Sequence, residues 1–188
     1  MRYRFAAAAA ALSCVLVGPA QVGPAQVGPA KRYVSKEGGF AVVFPGGGPV
    51  KSKTTDTPGG PRSSTVGTES HGKAYKVTYA ELSPQVFNGR TPDLIYLDLL
   101  SGAGFELNQQ KVIPGKNENT GREVVIEKDG KFTRTQMFLS GSKLYILFAG
   151  GDKTAVLGKD GQGFFKSFEI TPPAKPKAGN DAPPGGEG

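Results

Sequence analysis

Arg122–Gly151, REVVIEKDGKFTRTQMFLSGSKLYILFAGG, holds three β-rich runs separated by two short turn signals, and its reading decides the fold. Asp129-Gly130 supplies the residue types that tolerate the two positive-φ positions of a type I′ hairpin turn. A two-residue loop there sets the register: Ile126 faces Thr133, Val124 faces Thr135, and Val125 faces Arg134 on the opposite side. A second turn near Gly141-Ser142 leads into Lys143–Gly151, whose unbroken apolar run marks a central strand covered on both faces. The segment is therefore an antiparallel meander.

Upstream, TPDLIYLDLLSGAG carries the start and stop signals of a helix. Thr91 suits the N-cap, Pro92 the first helical position, and Asp93 the positive end of the helix dipole. Tyr96, Leu99, Leu100 and Ala103 recur at helical spacing, and Gly102 or Gly104 ends the helix. AYKVTYAEL alternates Tyr75, Val77 and Tyr79 with smaller or polar residues, as a half-buried strand does. RYVSKEGGFAVVFP offers two short strands around Gly38-Gly39, the second stopped by Pro45. Residues 51–64, KSKTTDTPGGPRSS, are polar and rich in turn formers, which predicts an exposed loop. Downstream, a last helix or turn ends in GFFKSFEI and supplies Phe164, Phe165 and Phe168 to the core. Strands, helix, strands, helix, without β-α-β alternation, give an α+β class with a predominantly antiparallel sheet of about six or seven strands packed by helices.

The two ends differ from this middle. Residues 1–30 read as a signal peptide and leader: Arg2 and Arg4, an apolar stretch from Phe5 to Val17, then tandem QVGPA units. The apolar run is shorter than the roughly 20 residues that span a bilayer as a helix, so cleavage after Ala20, Ala25 or Ala30 is expected rather than anchoring. Cys14 follows Ala-Leu-Ser but lacks the large aliphatic residue three positions earlier that lipid attachment favours, so it reads as one more apolar residue of the signal helix. Membrane contact is thus expected only through an uncleaved or lipidated leader. Residues 171–188 contain no bulky apolar residue and predict a disordered Pro/Gly-rich tail. One domain, 31–170, lies between, in an exported, periplasmic or extracellular protein.

Composition excludes several chemistries. The net charge of +7 shrinks between residues 33 and 170, where 17 basic and 14 acidic side chains leave +3, too little for a nucleic-acid footprint. Cys14 is the sole cysteine and His71 the sole histidine, so neither a disulfide nor a multi-ligand zinc or copper site is expected, and no cofactor is called for. Around Lys51-Ser52 the glycines of a phosphate-binding loop are replaced by Pro45 and Val50, and KTTDTPGGP cannot open a helix. GGFAVVFPGGGPVKSK is therefore a strand ending in a corner. FAGGDKTAVL, a second near miss, puts Asp152 where phosphate would lie, and reads as a strand-to-helix turn capped by that residue. No Gly-x-Ser-x-Gly elbow surrounds any serine. Glu123 and Glu127 share a strand face with Arg134 diagonal to both, a salt-bridge ladder rather than a catalytic pair.

GGFAVVFPGGGPVK, the run from LSGAGFELNQQKVIPGKN through the meander, and FFKSFEI together resemble uncharacterised exported bacterial proteins of the PsbP-like superfamily, which also holds the Mog and DcrB-like proteins. The resemblance covers Tyr33 to Ile170 and implies an α/β/α sandwich with a non-enzymatic role. It transfers no catalytic residue and no partner. The resulting expectation is a non-catalytic exported domain that binds a protein or cell-envelope partner through the polar sheet face or the loops around it. Arg122, Arg134 and Lys143, grouped on the meander, are the candidate contact residues. The alternatives are a small-molecule carrier with a pocket between helix 92–101 and the sheet, and a cryptic hydrolase using Glu123 and Glu127. Oligomeric state is left open.

Overall fold

The computed structural model describes residues 30–56, 60–116 and 120–171. The leader with Cys14 and the tail from residue 172 onward lie outside the described residues. Among the described residues run ten strands: β1 Lys31–Ser35, β2 Phe40–Phe44, β3 Lys51–Thr55, β4 Ser63–Ser70, β5 Lys73–Glu81, β6 Gln110–Ile113, β7 Gly121–Lys128, β8 Lys131–Ser140, β9 Lys143–Gly151 and β10 Glu169–Ile170. Three α-helices accompany them: α1 Pro92–Gly102, α2 Lys153–Leu157 and α3 Lys159–Ser167.

The main sheet has seven antiparallel strands in the order β3-β4-β5-β9-β8-β7-β6, and β1-β2-β10 form a second sheet. The class is α+β, as the sequence predicts. Asp129 and Gly130 take φ of 52° and 69°, the I′ geometry, and Ile126–Thr133, Val124–Thr135 and Val125–Arg134 pair as the two-residue loop dictates. β9 holds the middle position of the sheet as expected, but it is covered fully on one face only: Tyr145, Leu147 and Ala149 are buried, whereas Ile146 and Phe148 on the other face stay part-exposed.

A second expectation fails outright. Residues 51–64 are not a continuous loop: β3 occupies Lys51–Thr55 and β4 begins at Ser63. β3 is an edge strand exposed along its whole length, so no face imposes an apolar period on it. β4 alternates, but its buried residues are Ser64, Val66 and Thr68, too small and polar to signal a strand from sequence.

α1 begins as expected, with the Leu94 amide donating to Thr91 Oγ1 at 3.5 Å and Pro92 opening the first turn. Its buried side chains are Ile95, Tyr96 and Leu100, so the apolar face is broader than the stripe read from spacing. These pack on one face of the sheet against Val124, Met137, Leu139 and Leu144. Tyr96 is fully buried; its hydroxyl donates to the Thr120 carbonyl at 3.1 Å and accepts from the Leu139 amide at 2.7 Å, tying the helix to β8.

The other face carries β2, α2 and α3. Phe40, Val42, Phe44, Val156, Phe164, Phe165 and Phe168 meet Val77, Phe138, Tyr145 and Leu147 of the sheet in one cluster. Phe168 stacks on Phe138 with centroids 5.9 Å apart, and Phe40 meets Tyr145 edge to face at 6.1 Å. Each buried phenylalanine contributes about 1.5–3 kcal/mol over leaving it in water. Tyr75 donates to the Ala155 carbonyl at 2.9 Å and Tyr145 to that of Gly38 at 2.8 Å, so buried phenols join this layer to the sheet as well. Asp152 caps α2, accepting from the Ala155 amide at 2.7 Å. A Cβ on Gly161 would stand 2.0 Å from the Val156 carbonyl oxygen, so the close turn from α2 into α3 requires glycine there.

Candidate functional site

The sheet-to-sheet layer is not filled evenly. Beneath β2, large aromatic rings meet the sheet, but toward the β3 edge the facing residues are Ser52, Thr54 and Ser64. These side chains are too short to close the gap under β1. Two adjoining hollows of about 230 Å³ each result, sharing Glu37, Ser64 and Tyr79, so that they form one groove. Its floor is the β3–β5 end of the sheet, and one wall is the backbone from Tyr33 to Glu37.

Hydroxyls dominate the floor. Thr54 Oγ1 and Ser64 Oγ lie 3.0 Å apart in a cross-strand hydrogen bond. Tyr33 and Tyr79 present their rings toward the same space, with Phe40 packed against both at 6.2 and 5.6 Å. Burial raises the Tyr33 pKa, and neighbouring Tyr79 and Glu37 push it the same way, so the phenol stays a proton donor. Charge sits at the rim. Lys143 Nζ donates to the Glu37 carbonyl at 3.0 Å, and Arg62 lies 3.5 Å from Asp56. The groove can thus hydrogen-bond a polar, extended ligand on its floor and engage charge at its mouth.

The three candidate contact residues do not come together. Lys143 is at the groove rim. Arg122 is on the α1 face, with its side chain 8% exposed, donating to Asp93 Oδ1 at 2.7 Å and standing 5.4 Å above the Tyr96 ring. Arg134 is on the opposite face, paired with Glu123 at 2.6 Å and 4.5 Å from the centre of the Phe165 ring. Proximity along a meander does not survive the alternation of its strands. Sequence reading missed Tyr33, Thr54, Ser64 and Tyr79, whose positions become neighbours only through pairing of four separate strands with two sheets. Ser64, Val66 and Thr68 alternate as buried positions of β4, but their small size left no signal of that floor in the sequence.

The residues of the alternative readings are also located. Glu123 accepts from both Arg134 and Gln136, the latter at 2.6 Å, whereas Glu127 is exposed near the end of β7. The serine–histidine hydrogen bond, Ser70 Oγ to His71 Nδ1 at 2.5 Å, sits on the exposed β4–β5 turn away from the groove. Between α1 and the sheet, where a carrier would hold its ligand, Ile95, Tyr96, Leu100, Met137 and Leu139 fill the interface. Among the described residues no group of three or more His, Cys, Asp or Glu is placed to hold a metal ion, and no helix is long and apolar enough to cross a membrane.

No family model and no curated protein matches the sequence. Among solved structures, the chain is similar to the solution structure of cyanobacterial PsbP (CyanoP) from Synechocystis sp. PCC 6803, with a TM-score of 0.47 and 10% sequence identity over 80% of this chain and 98% of that one.

Proposed function

We propose that the protein is an exported, non-catalytic binding domain that receives an extended segment of a cell-envelope protein in the groove between β1 and the β3–β5 end of the sheet. The observation that carries this reading is the convergence of the Tyr33 and Tyr79 rings with the Thr54 and Ser64 hydroxyls in one open groove. An extended backbone needs donors and acceptors along its length and flat apolar surface for alternate side chains, and this groove offers both. Lys143 serves the partner at the rim. Arg122 and Arg134 act indirectly, by holding α1 and α3 in place through Asp93 and Phe165.

Photo-crosslinking in the native envelope tests this. A crosslinking amino acid at Tyr79 yields one discrete protein adduct, and the same probe at exposed Lys153, beyond the groove, does not. Adducts of equal yield and pattern at both positions, or none at Tyr79, would contradict the reading.

A further inference from the structure

The α1 layer covers only part of its face. Cross-strand partners point to the same side of a sheet, so the register defines what lies beside the helix. Lys51, Gly67, Lys76, Phe148 and Thr135 form one row across β3, β4, β5, β9 and β8. Lys53, Thr65, Thr78 and Ile146 form the next. On the opposite face the neighbouring residues Ser64, Val66, Thr68, Tyr75 and Val77 are buried, whereas Thr65, Thr78, Thr135, Ile146 and Phe148 all remain part-exposed. The vacancy has the size of a helix: β4, β5, β9 and β8 at about 4.8 Å spacing span about 14 Å, against about 10–12 Å for a helix with its side chains.

Its charge is one-sided. Lys51 and Lys53 stand on its β3 flank, and Lys128 and Lys131, directly opposite each other across the β7–β8 hairpin, on its far flank. None of the four enters an ion pair found among the described residues. The face's acidic residue, Glu69, is already paired with Lys76, and the α1 acids Asp93 and Asp98 are paired with Arg122 and Arg90. Like charges set directly across a hairpin repel, and neither Lys128 nor Lys131 has an ion-pair partner among the described residues. Between the flanks, the Phe148 ring lies over Gly150, where a Cβ would approach it to 2.9 Å. That leaves an apolar anchor in the middle of threonine methyls.

We propose that this half-face is a docking surface for an acidic amphipathic helix of a partner protein, which completes the layer that α1 begins. Its apolar stripe covers Phe148 and abuts Ile146, which marks the edge of the α1 cluster, and carboxylates on its two flanks meet Lys51 and Lys53 on one side and Lys128 and Lys131 on the other. A flat bilayer fits less well, because α1 stands above the sheet beside the anchor and holds a planar surface away from it. This surface is on the opposite side of the sheet from the groove and stands or falls independently of it.

The test uses the full chain, isotope-labelled, titrated with a leucine-striped, glutamate-flanked helical peptide of about 20 residues. The controls are a lysine-flanked peptide and vesicles of phosphatidylcholine with phosphatidylglycerol. The acidic peptide shifts the amide resonances of Thr65, Thr78, Thr135 and Phe148, and the Lys51→Glu/Lys53→Glu variant weakens it by about tenfold or more. Lys159→Glu/Lys166→Glu, on exposed positions of α3, leaves affinity unchanged. No binding, equal loss in both variants, lysine-dependent binding to vesicles without the peptide shifts, or self-association abolished by Lys51→Glu/Lys53→Glu would each overturn the proposal.

Discussion

The two faces of the main sheet are built by different rules. The face toward β2 and α3 is a closed aromatic layer in which Phe40, Phe44, Phe138, Phe164 and Phe168 interlock. The face toward α1 is closed over Val124, Met137, Leu139 and Leu144, with Ile126 and Ile146 packed at the margin of that cluster, and beyond them it carries mainly threonines, lysines and the part-exposed Phe148. Stability is concentrated on the first face, so the second is free to present surface. Both proposed binding surfaces lie at the margins of this packing: the groove where small residues leave space, and the half-face that no element among the described residues covers.

That contrast is most easily broken by truncation in the closed layer. Phe164→Ala removes a ring packed against Phe44, Tyr75 and Phe165 and is expected to cost about 3–5 kcal/mol in urea denaturation. Leu100→Ala, under α1, is expected to cost less, about 2–4 kcal/mol, because the open flank lets the helix settle into the void. A larger loss at Leu100 than at Phe164 would reverse the assignment of the two faces.

Alkaline titration sharpens the same point. Burial pushes Tyr75 up to about 12, with Asp160 and Asp152 adding to it, and pushes Tyr145 up to about 12, helped by Glu81 and Tyr79. Each phenol therefore keeps its proton in the folded chain after the unfolded chain has lost it. The stability from their burial is fully present below about pH 10 and declines toward pH 12, by up to about 1.4 kcal/mol per pH unit for each tyrosine. Tyr75→Phe and Tyr145→Phe together flatten that decline in urea denaturation followed from pH 9 upward.

Gly130→Ala is expected to cost about 1 kcal/mol, because a side chain is strained at φ of 69° while the β7–β8 register survives. Smallest of all is Lys53→Glu, exposed on the edge strand, which is expected to change stability by no more than about 0.5 kcal/mol while altering what the open half-face binds.

What the sequence disclosed follows the same division. The meander was legible down to its first register because Asp129-Gly130 admits few turn geometries, and its central strand because β9 is an unbroken apolar run. α1 was legible from Thr91, Pro92 and its apolar spacing. β3 and β4 were not, since β3 is exposed throughout and the buried positions of β4 are small, Ser64, Val66 and Thr68. The groove inherited that silence: Ser52, Thr54 and Ser64 form its floor by being small, which no motif records. Arg122 and Arg134 looked alike in sequence, yet alternation sends one to Tyr96 and the other to Phe165 on opposite faces.

The inequality of the two faces is tested most directly by solvent paramagnetic relaxation of methyl groups in the full chain. The account expects the methyls of Thr65, Thr78 and Thr135 to relax strongly while those of Val66 and Val77, one residue away on the opposite face, stay protected. Threonine methyls as protected as the valines would mean that the half-face is already covered, and would contradict it.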